Sequence, residues 1–201
     1  MVWNSETTDE QLFEQFIRGD ETAFEGLVDR YHKQIYVFLV RFTGRPELAD
    51  DLTQETFIKV HQAAASFDLD KKFRPWVFAI AANKARDMLR SIGRSLHPVS
   101  IEAGRTDEDR SLIDIIPSDQ EVPEIELMER ERAESVKTAV MTLPENLREV
   151  LLLAYYEDMQ YKEIAEALGI PLGTVKSRLH KAVNAFGRLW KAKHNERQSA
   201  E

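Results

Sequence analysis

The chain has 201 residues, 43% of them hydrophobic and 9% aromatic, which is enough to bury one core or two small cores in series. It contains no cysteine, and this excludes disulfides, thiolate metal sites and cysteine nucleophiles. Its formal net charge is −8, whereas a nucleic-acid-binding protein usually carries a basic excess.

The sequence shows no membrane-targeting pattern. Residues 1–6 lack a basic region followed by an apolar run, and no stretch approaches the roughly 20 apolar residues of a membrane span. We therefore expect a cytoplasmic protein that does not insert into a membrane.

The acidic charge is distributed unevenly along the chain. Residues 1–95 carry 13 basic and 15 acidic residues, residues 96–132 carry 4 and 11, and residues 133–201 carry 10 and 9. The middle segment also contains three prolines and one glycine, a composition typical of a linker. We predict two small helical domains joined by an acidic, flexible linker. Their bounds are 9–95 and 125–193 for the domains and 96–124 for the linker.

The first segment is predicted to be helical. Apolar residues between Phe24 and Phe42 recur at steps of three and four, which predicts an amphipathic helix that ends at 44–46. A second helix begins at about Pro46, and its outward face carries Asp50, Asp51, Gln54, Glu55 and Lys59. After a break over 67–73, a further helix is predicted from about Pro75 toward Leu89, since proline suits a first turn.

A basic and aromatic stretch spans Lys71 to Arg94. It holds seven basic residues against one acidic residue, with three aromatic residues among them. Basic side chains can follow the backbone of a single nucleic-acid strand while aromatic rings stack on unpaired bases. By composition alone, the stretch fits a nucleic-acid surface and an ordinary helix with a buried and a solvated face equally well. The candidate contact residues are Lys72, Phe73, Trp76, Asn83, Lys84, Arg86 and Arg90.

The third segment is predicted to contain a helix-turn-helix. Residues 142–145 have capping-box spacing, and helices over 161–168 and about 172–192 flank a break that Gly169 can form. There is no acidic residue over 167–195, where six residues are basic. Such a helix fits the DNA major groove, and the alternative is a helical hairpin with a solvated basic face. The candidate groove-facing residues are Thr174, Lys176, Ser177, Arg178, His180 and Lys181. With no strand pattern in the chain, the predicted fold is all-α.

Three of these motifs, in this order, resemble the sigma-70 family of bacterial transcription initiation factors, in its minimal extracytoplasmic function type. Residues 49–60 are similar to the helix that docks on the clamp helices of core RNA polymerase. Residues 73–83 resemble the element that reads and melts the minus-ten promoter region. Residues 143–192 resemble the domain that reads the minus-thirty-five region, and the likeness covers about 9–95 and 125–192.

The resemblance implies a dissociable, non-enzymatic subunit that directs core RNA polymerase to promoter DNA and needs no cofactor. The polar face of 50–59 would bind polymerase, the candidates of 72–90 would contact minus-ten DNA, and those of 174–181 would contact minus-thirty-five DNA. Proteins of this type are commonly held by an anti-sigma factor. The sequence departs from the family in its 68–70 loop, Asp-Leu-Asp where Arg-Gly is more usual, and at Gln160, where a Ser or Thr cap is usual.

Two other functions fit parts of the sequence. A helix-turn-helix regulator that acts without polymerase would bind duplex DNA tightly on its own, at a palindromic site. The carboxylates of Asp50, Asp51 and Glu55 could serve acid/base catalysis, but neither a partner histidine nor a glycine-rich loop accompanies them. None of the five histidines stands at metal-ligand spacing, so we predict no metal site.

Overall fold

The computed structural model describes residues 7–96 and 123–198, and the chain divides into two compact units. The first unit contains α1 (Asp9–Ile17), α2 (Glu21–Thr43), α3 (Pro46–Ala63), a 3-10 turn (Ala64–Ser66) and α4 (Phe73–Leu96). The second contains α5 (Pro123–Thr142), α6 (Glu145–Tyr155), most of α7 (Tyr161–Leu168) and α8 (Leu172–Gln198). No strand occurs in the described ranges, and the predicted all-α fold is confirmed. Except for its ends, the predicted linker lies outside the described residues.

Within those same ranges, no helix combines the length and the apolar character that crossing a membrane requires.

Local signals set most helix ends in the first unit. At the start of α1, Thr8 Oγ1 accepts from the Gln11 N–H at 3.2 Å and Gln11 Oε1 accepts from the Thr8 N–H at 3.0 Å, which is a capping box. Helix α2 ends at Gly44, whose φ of 75° is left-handed and therefore favours glycine. Pro46 then opens α3, where a missing N–H costs nothing. The predicted junction between α2 and α3 is confirmed.

The start of α4 depends instead on a distant residue. Glu10 Oε1 accepts a hydrogen bond from the Phe73 N–H at 3.1 Å, across 63 positions of sequence. The helix therefore begins two residues before Pro75 and continues to Leu96, so the predicted bounds near Pro75 and Leu89 were both too narrow.

Aromatic rings form much of the core of the first unit. Phe13 of α1 is fully buried, and its ring lies 5.0 Å from that of Phe67, 4.9 Å from Phe73 and 5.3 Å from Trp76. Each such buried side chain contributes about 1.5–3 kcal/mol relative to an exposed one. Helix α2 adds the buried residues Leu27, Tyr31, Ile35, Phe38, Leu39 and Phe42, as its periodicity predicts. The cluster around Phe13 joins α1, the segment after α3 and the start of α4.

A polar network fastens α1 to α2. The Tyr31 hydroxyl donates to Asp9 Oδ2, and Arg30 Nη1 donates to Asp9 Oδ1 at 2.9 Å and to the Thr7 carbonyl at 2.8 Å. Tyr31 is only 4% exposed. Its burial, helped by the hydrogen bond to the Asp9 carboxylate, raises the pKa of Tyr31 far above its ordinary range.

An arginine holds the turn between α5 and α6 in the second unit. The buried Arg148 guanidinium donates through Nη2 to the carbonyls of Met141 at 2.7 Å and Leu143 at 3.0 Å, and burial lowers the pKa of Arg148. The capping box predicted at 142–145 is wrong. Thr142 belongs to the end of α5, where its hydroxyl donates to the Thr138 carbonyl at 2.9 Å, and Pro144 precedes α6 without a side-chain cap.

The Tyr31 hydroxyl should make the stability of the first unit sensitive to alkaline pH. An unfolded tyrosine ionises near pH 10, whereas the raised pKa keeps the folded one protonated, so stability present below about pH 10 is lost as pH rises, by up to about 1.4 kcal/mol per unit. Tyr31→Phe should be about 1 kcal/mol less stable at pH 7, and this difference should shrink above pH 10.

Urea unfolding of wild type and of Tyr31→Phe between pH 7 and 11 measures how the free energy of unfolding of each protein changes with pH. Tyr36→Phe, at a half-buried position of the same helix, makes the same chemical change and is the matched control. If the free energies of unfolding of wild type and Tyr31→Phe change with pH in parallel, the Tyr31 hydroxyl is not the source of the alkaline loss of stability.

Candidate nucleic-acid interface

Helix α3 presents the predicted polar face outward. Asp50, Asp51, Gln54 and Lys59 are exposed and Glu55 is half-buried. On its inner face, the buried hydroxyls of Thr53 and Thr56 each donate to a backbone carbonyl one turn earlier at 2.6 Å, which satisfies them without outside partners. Sequence reasoning missed one member of the outer face, Ile58, which is 56% exposed. Its signal was an apolar residue one turn after Gln54.

The start of α4 separates the predicted aromatic contacts into two kinds. Phe73 has no exposed surface, so the prediction that its ring contacts DNA is wrong, and its ring is part of the core around Phe13. Trp76 is half-buried and its ring lies 4.5 Å from that of Phe67. Of the two predicted aromatic contacts, Trp76 therefore offers ring surface to a ligand, whereas Phe73 does not.

Four polar residues of α4 lie further along the helix. Asn83 and Arg90 are exposed, Arg86 is half-buried, and Arg86 Nη2 donates to Asn83 Oδ1. Arg90 Nη1 lies 3.8 Å from Asp87 Oδ1. Lys84 Nζ donates to Glu55 Oε2 at 2.8 Å, so it is bound to the outer face of α3. Asn83, Arg86 and Arg90 thus share one face, whereas Lys84 points toward another element.

The loop between the 3-10 turn and α4 uses one of its two carboxylates structurally. Asp68 Oδ1 accepts from the Asp70 N–H at 3.1 Å, and the Asp68 carbonyl accepts from the Lys71 N–H at 3.0 Å. These bonds close a tight turn with Leu69 exposed at its tip and with Lys72, also exposed, following it. The unusual aspartate at 68 is therefore explained by the turn.

The helix-turn-helix that α7 and α8 form lies where it was predicted. Gly169 is left-handed with a φ of 62°, the Ile170 N–H donates to the Ala165 carbonyl at 3.0 Å, and α8 starts at Leu172. Glu163 Oε2 accepts from the Gln160 N–H at 2.9 Å, which supplies half of a capping box in place of a Ser or Thr cap.

The outward face of α8 carries most of the predicted contacts. Its buried side chains are Val175, Leu179 and Ala182, and its exposed ones include Lys176, Ser177, His180 and Lys181. Thr174 is half-buried, and its carbonyl accepts from Ser177 Oγ at 3.1 Å. His180 Nε2 lies 2.8 Å from Asn184 Nδ2.

Arg178 differs from its neighbours on α8. Its side chain is 25% exposed, and Nη1 lies 3.3 Å from Oε1 of Glu149, a carboxylate of α6 that is fully buried. Sequence reasoning missed Glu149, because the two residues are 29 positions apart and nothing in the local pattern joins them.

Among the residues that the structure describes, no group of His, Asp and Glu side chains could hold a metal ion.

Comparison with known proteins identifies both units. The family model for sigma-70 region 2 matches residues 27–95, and that for sigma-70 region 4 matches residues 133–185. The chain is 35% identical over 180 residues to the RNA polymerase sigma-H factor of Pseudomonas aeruginosa, covering 90% of this chain and 92% of that protein. It is 33% identical over 172 residues to the ECF RNA polymerase sigma factor SigW of Bacillus subtilis, covering 86% and 91%.

Solved structures resemble most of the chain as well. CnrH, in complex with the cytosolic domain of CnrY, matches with a TM-score of 0.68 and 25% identity, over 92% of this chain and 99% of that one. The fold also matches that of the sigma factor RpoE of Bartonella quintana, in complex with the anti-sigma factor NepR, with a TM-score of 0.65 and 23% identity over 84% and 96%.

A substitution at Phe73 tests whether its ring belongs to the core of the first unit. Phe73→Ala should lower the free energy of unfolding by about 3–5 kcal/mol, because it removes a ring that other rings surround. Leu69→Ala, at the exposed tip of the adjoining loop, is the control and should change it by less than about 0.5 kcal/mol. Urea denaturation followed by tryptophan fluorescence measures the free energy of unfolding of both variants. An equally small effect of Phe73→Ala would contradict the burial of the Phe73 ring.

Proposed function

The chain belongs to the sigma-70 family of RNA polymerase sigma factors, in its extracytoplasmic function group, and we infer from this that its two units divide the recognition of one promoter between them. It is a DNA-binding factor that directs core RNA polymerase to promoters and initiates transcription, and it is not an enzyme. The proposed domains are 9–95, a region 2 unit, and 125–193, a region 4 unit, with 96–124 as the linker. The proposed place of action is the cytoplasm.

The outer face of α3 is the proposed binding surface for core polymerase. Asp50, Asp51 and Gln54 are exposed together on it, and the exposed apolar side chain of Ile58 continues the row. Charged groups around an apolar contact guide the encounter and set its register, while the buried apolar area supplies affinity. This combination is what supports a protein partner for the face.

The outer face of α4, with the loop before it, is the proposed minus-ten surface. Asn83, Arg86 and Arg90 would contact bases and phosphates of an unpaired strand, and the open side of Trp76 would stack on a base. Lys72 is a proposed phosphate contact. Lys84 would have to leave its ion pair with Glu55 to make a second one. Opening DNA costs stacking and pairing energy, and capture of an extruded base offsets part of that cost, so melting and reading can occur in one step.

Helix α8 is the proposed minus-thirty-five reader. Its exposed residues Lys176, Ser177, His180 and Lys181 would enter the major groove, with Thr174 at its start near the backbone. A sequence without acidic residues over 167–195 keeps this face attractive to DNA phosphates despite the net charge of the chain. The exposed row on α8 is the observation that carries this assignment.

An anti-sigma factor completes the proposed partners. The similar structure of RpoE was solved with the anti-sigma factor NepR, and CnrH with the cytosolic domain of CnrY. A protein of this kind would act by covering surfaces that polymerase or DNA needs.

Promoter footprinting with and without core polymerase tests the function as a whole. A sigma factor should protect a promoter specifically only when core enzyme is present. A regulator of the ordinary helix-turn-helix kind would protect the same site equally well by itself, and this result would overturn the assignment.

Lys181 should contribute a phosphate contact in the upstream element. Lys181→Ala should weaken holoenzyme binding and lower the slope of log K against log salt by about one unit, since one fewer counterion is released. Lys191→Ala, three turns further along α8 and also exposed, is the matched control with the same change of charge. A salt slope equal to that of wild type would remove Lys181 from the phosphate contacts.

Asp51 should matter for association with polymerase. Asp51→Arg reverses one charge in the middle of the exposed row on α3. The variant should stay folded but should compete for core enzyme about tenfold less well than wild type does. Glu25→Arg makes the same reversal at an exposed position of α2 and serves as the control. If both variants compete as wild type does, α3 lies outside the interface.

A further inference from the structure

The ion pair between Glu149 and Arg178 links α6 to the middle of α8. We propose that this pair fixes the rotation of α8 about its axis, so that Arg178 positions the DNA-reading side chains and does not itself read DNA. The inference rests on the proposed function of α8 and assigns a role to Glu149, a residue of α6 whose side chain has no exposed surface to offer DNA.

The first support is the burial of the pair. The Glu149 carboxylate has no exposed surface, and Arg178 Nη1 lies 3.3 Å from its Oε1 with the arginine side chain 25% exposed. A buried carboxylate that loses its cationic partner is strongly destabilising, so the pair holds its geometry far more firmly than a surface pair does. The planar guanidinium adds a directional restraint that a lysine would lack.

The second support is where Arg178 lies around α8. At 3.6 residues per turn, Arg178 lies about 65° from the mean direction of the buried Val175, Leu179 and Ala182. It lies about 130° from the mean direction of the four exposed residues of the proposed reading face. Lys176, Ser177, His180 and Lys181 form that face. Arg178 is thus turned toward α6 and away from the groove.

The third support is that the partner helix is itself held. Glu149 follows Arg148, whose guanidinium binds the carbonyls of Met141 and Leu143 at the turn between α5 and α6. Arg148 therefore fixes α6 to the turn before it. Glu149 in turn fixes α8 to α6. This arrangement gives α8 a rigid reference for its rotation.

A small rotation would be enough to change DNA reading. Turning α8 by 20° moves an atom about 6 Å from its axis by about 2 Å, and hydrogen bonds to base edges weaken steeply over such a displacement. Loss of the pair should therefore relax base preference in the upstream element while the charge-dependent affinity for DNA remains.

The experiment uses the full-length protein with core RNA polymerase and a promoter library randomised in both elements. Wild-type holoenzyme first selects its preferred upstream and minus-ten sequences, and these define the duplex probes. Glu149→Gln should reduce the preference for the selected over a scrambled upstream element by about tenfold, the size of one base contact. Its minus-ten preference should stay unchanged. Glu134→Gln, in an exposed ion pair with Lys137 on α5, is the matched control and should keep both preferences.

A double variant keeps the test decisive if Glu149→Gln folds poorly. Glu149→Met with Arg178→Met replaces both charges by apolar groups of similar size, which buried pairs often tolerate. If Arg178 only positions α8, the slope of log K against log salt for this variant should equal that of wild type, because no phosphate contact is lost. A slope lower by about one unit would show that Arg178 meets a phosphate and would overturn the proposal.

The outcomes separate the inference from the function on which it rests. If wild-type holoenzyme selects no upstream sequence, the proposed reading by α8 fails, whatever the ion pair does. If wild type selects a sequence and folded Glu149→Gln selects it with equal preference, the reading function stands and only the role of Glu149 is overturned.

Discussion

In both units, a buried polar group is held by a partner from another part of the chain, and these pairings determine where helices begin and how they are rotated. Asp9 binds the buried Tyr31 and so ties α1 to α2, and Glu10 receives the Phe73 N–H at the start of α4. In the second unit, the Glu149 carboxylate accepts a hydrogen bond from the Arg178 guanidinium. An unpaired group at any of these sites would cost more than the bond gains, so each pairing excludes neighbouring arrangements of its helices.

An ion pair also links the two surfaces proposed for the first unit. Glu55 lies on the face proposed for polymerase, and Lys84 lies on the helix proposed for minus-ten DNA, yet the two form an ion pair at 2.8 Å. Because α3 and α4 belong to one packed unit, a factor that docks through α3 brings α4 to the DNA at a set distance. Docking and capture of unpaired bases are then geometrically coupled, although the two contacts use different residues.

Net charge is a poor guide to binding for a chain built this way. The formal charge of −8 counted against nucleic acid, but residues 96–132 carry 4 basic and 11 acidic residues, and the proposed DNA-facing stretches are basic. Electrostatic attraction to a phosphate backbone falls off over about 10 Å at moderate salt, so the local balance on each face decides. Acidic residues elsewhere can keep the protein soluble without opposing that local attraction.

Sequence alone determined the features that depend on neighbouring residues. Helical periodicity identified α2, α3 and α8, and the left-handed glycines at 44 and 169 marked two turns, because both follow from backbone sterics and from side chains three or four positions apart. Only the tertiary structure decided the start of α4, the burial of Phe73 and the separation of Arg178 from the exposed face of α8. Each of these depends on a residue far away in the chain, Glu10, Phe13 or Glu149, and folding alone brings such partners into contact.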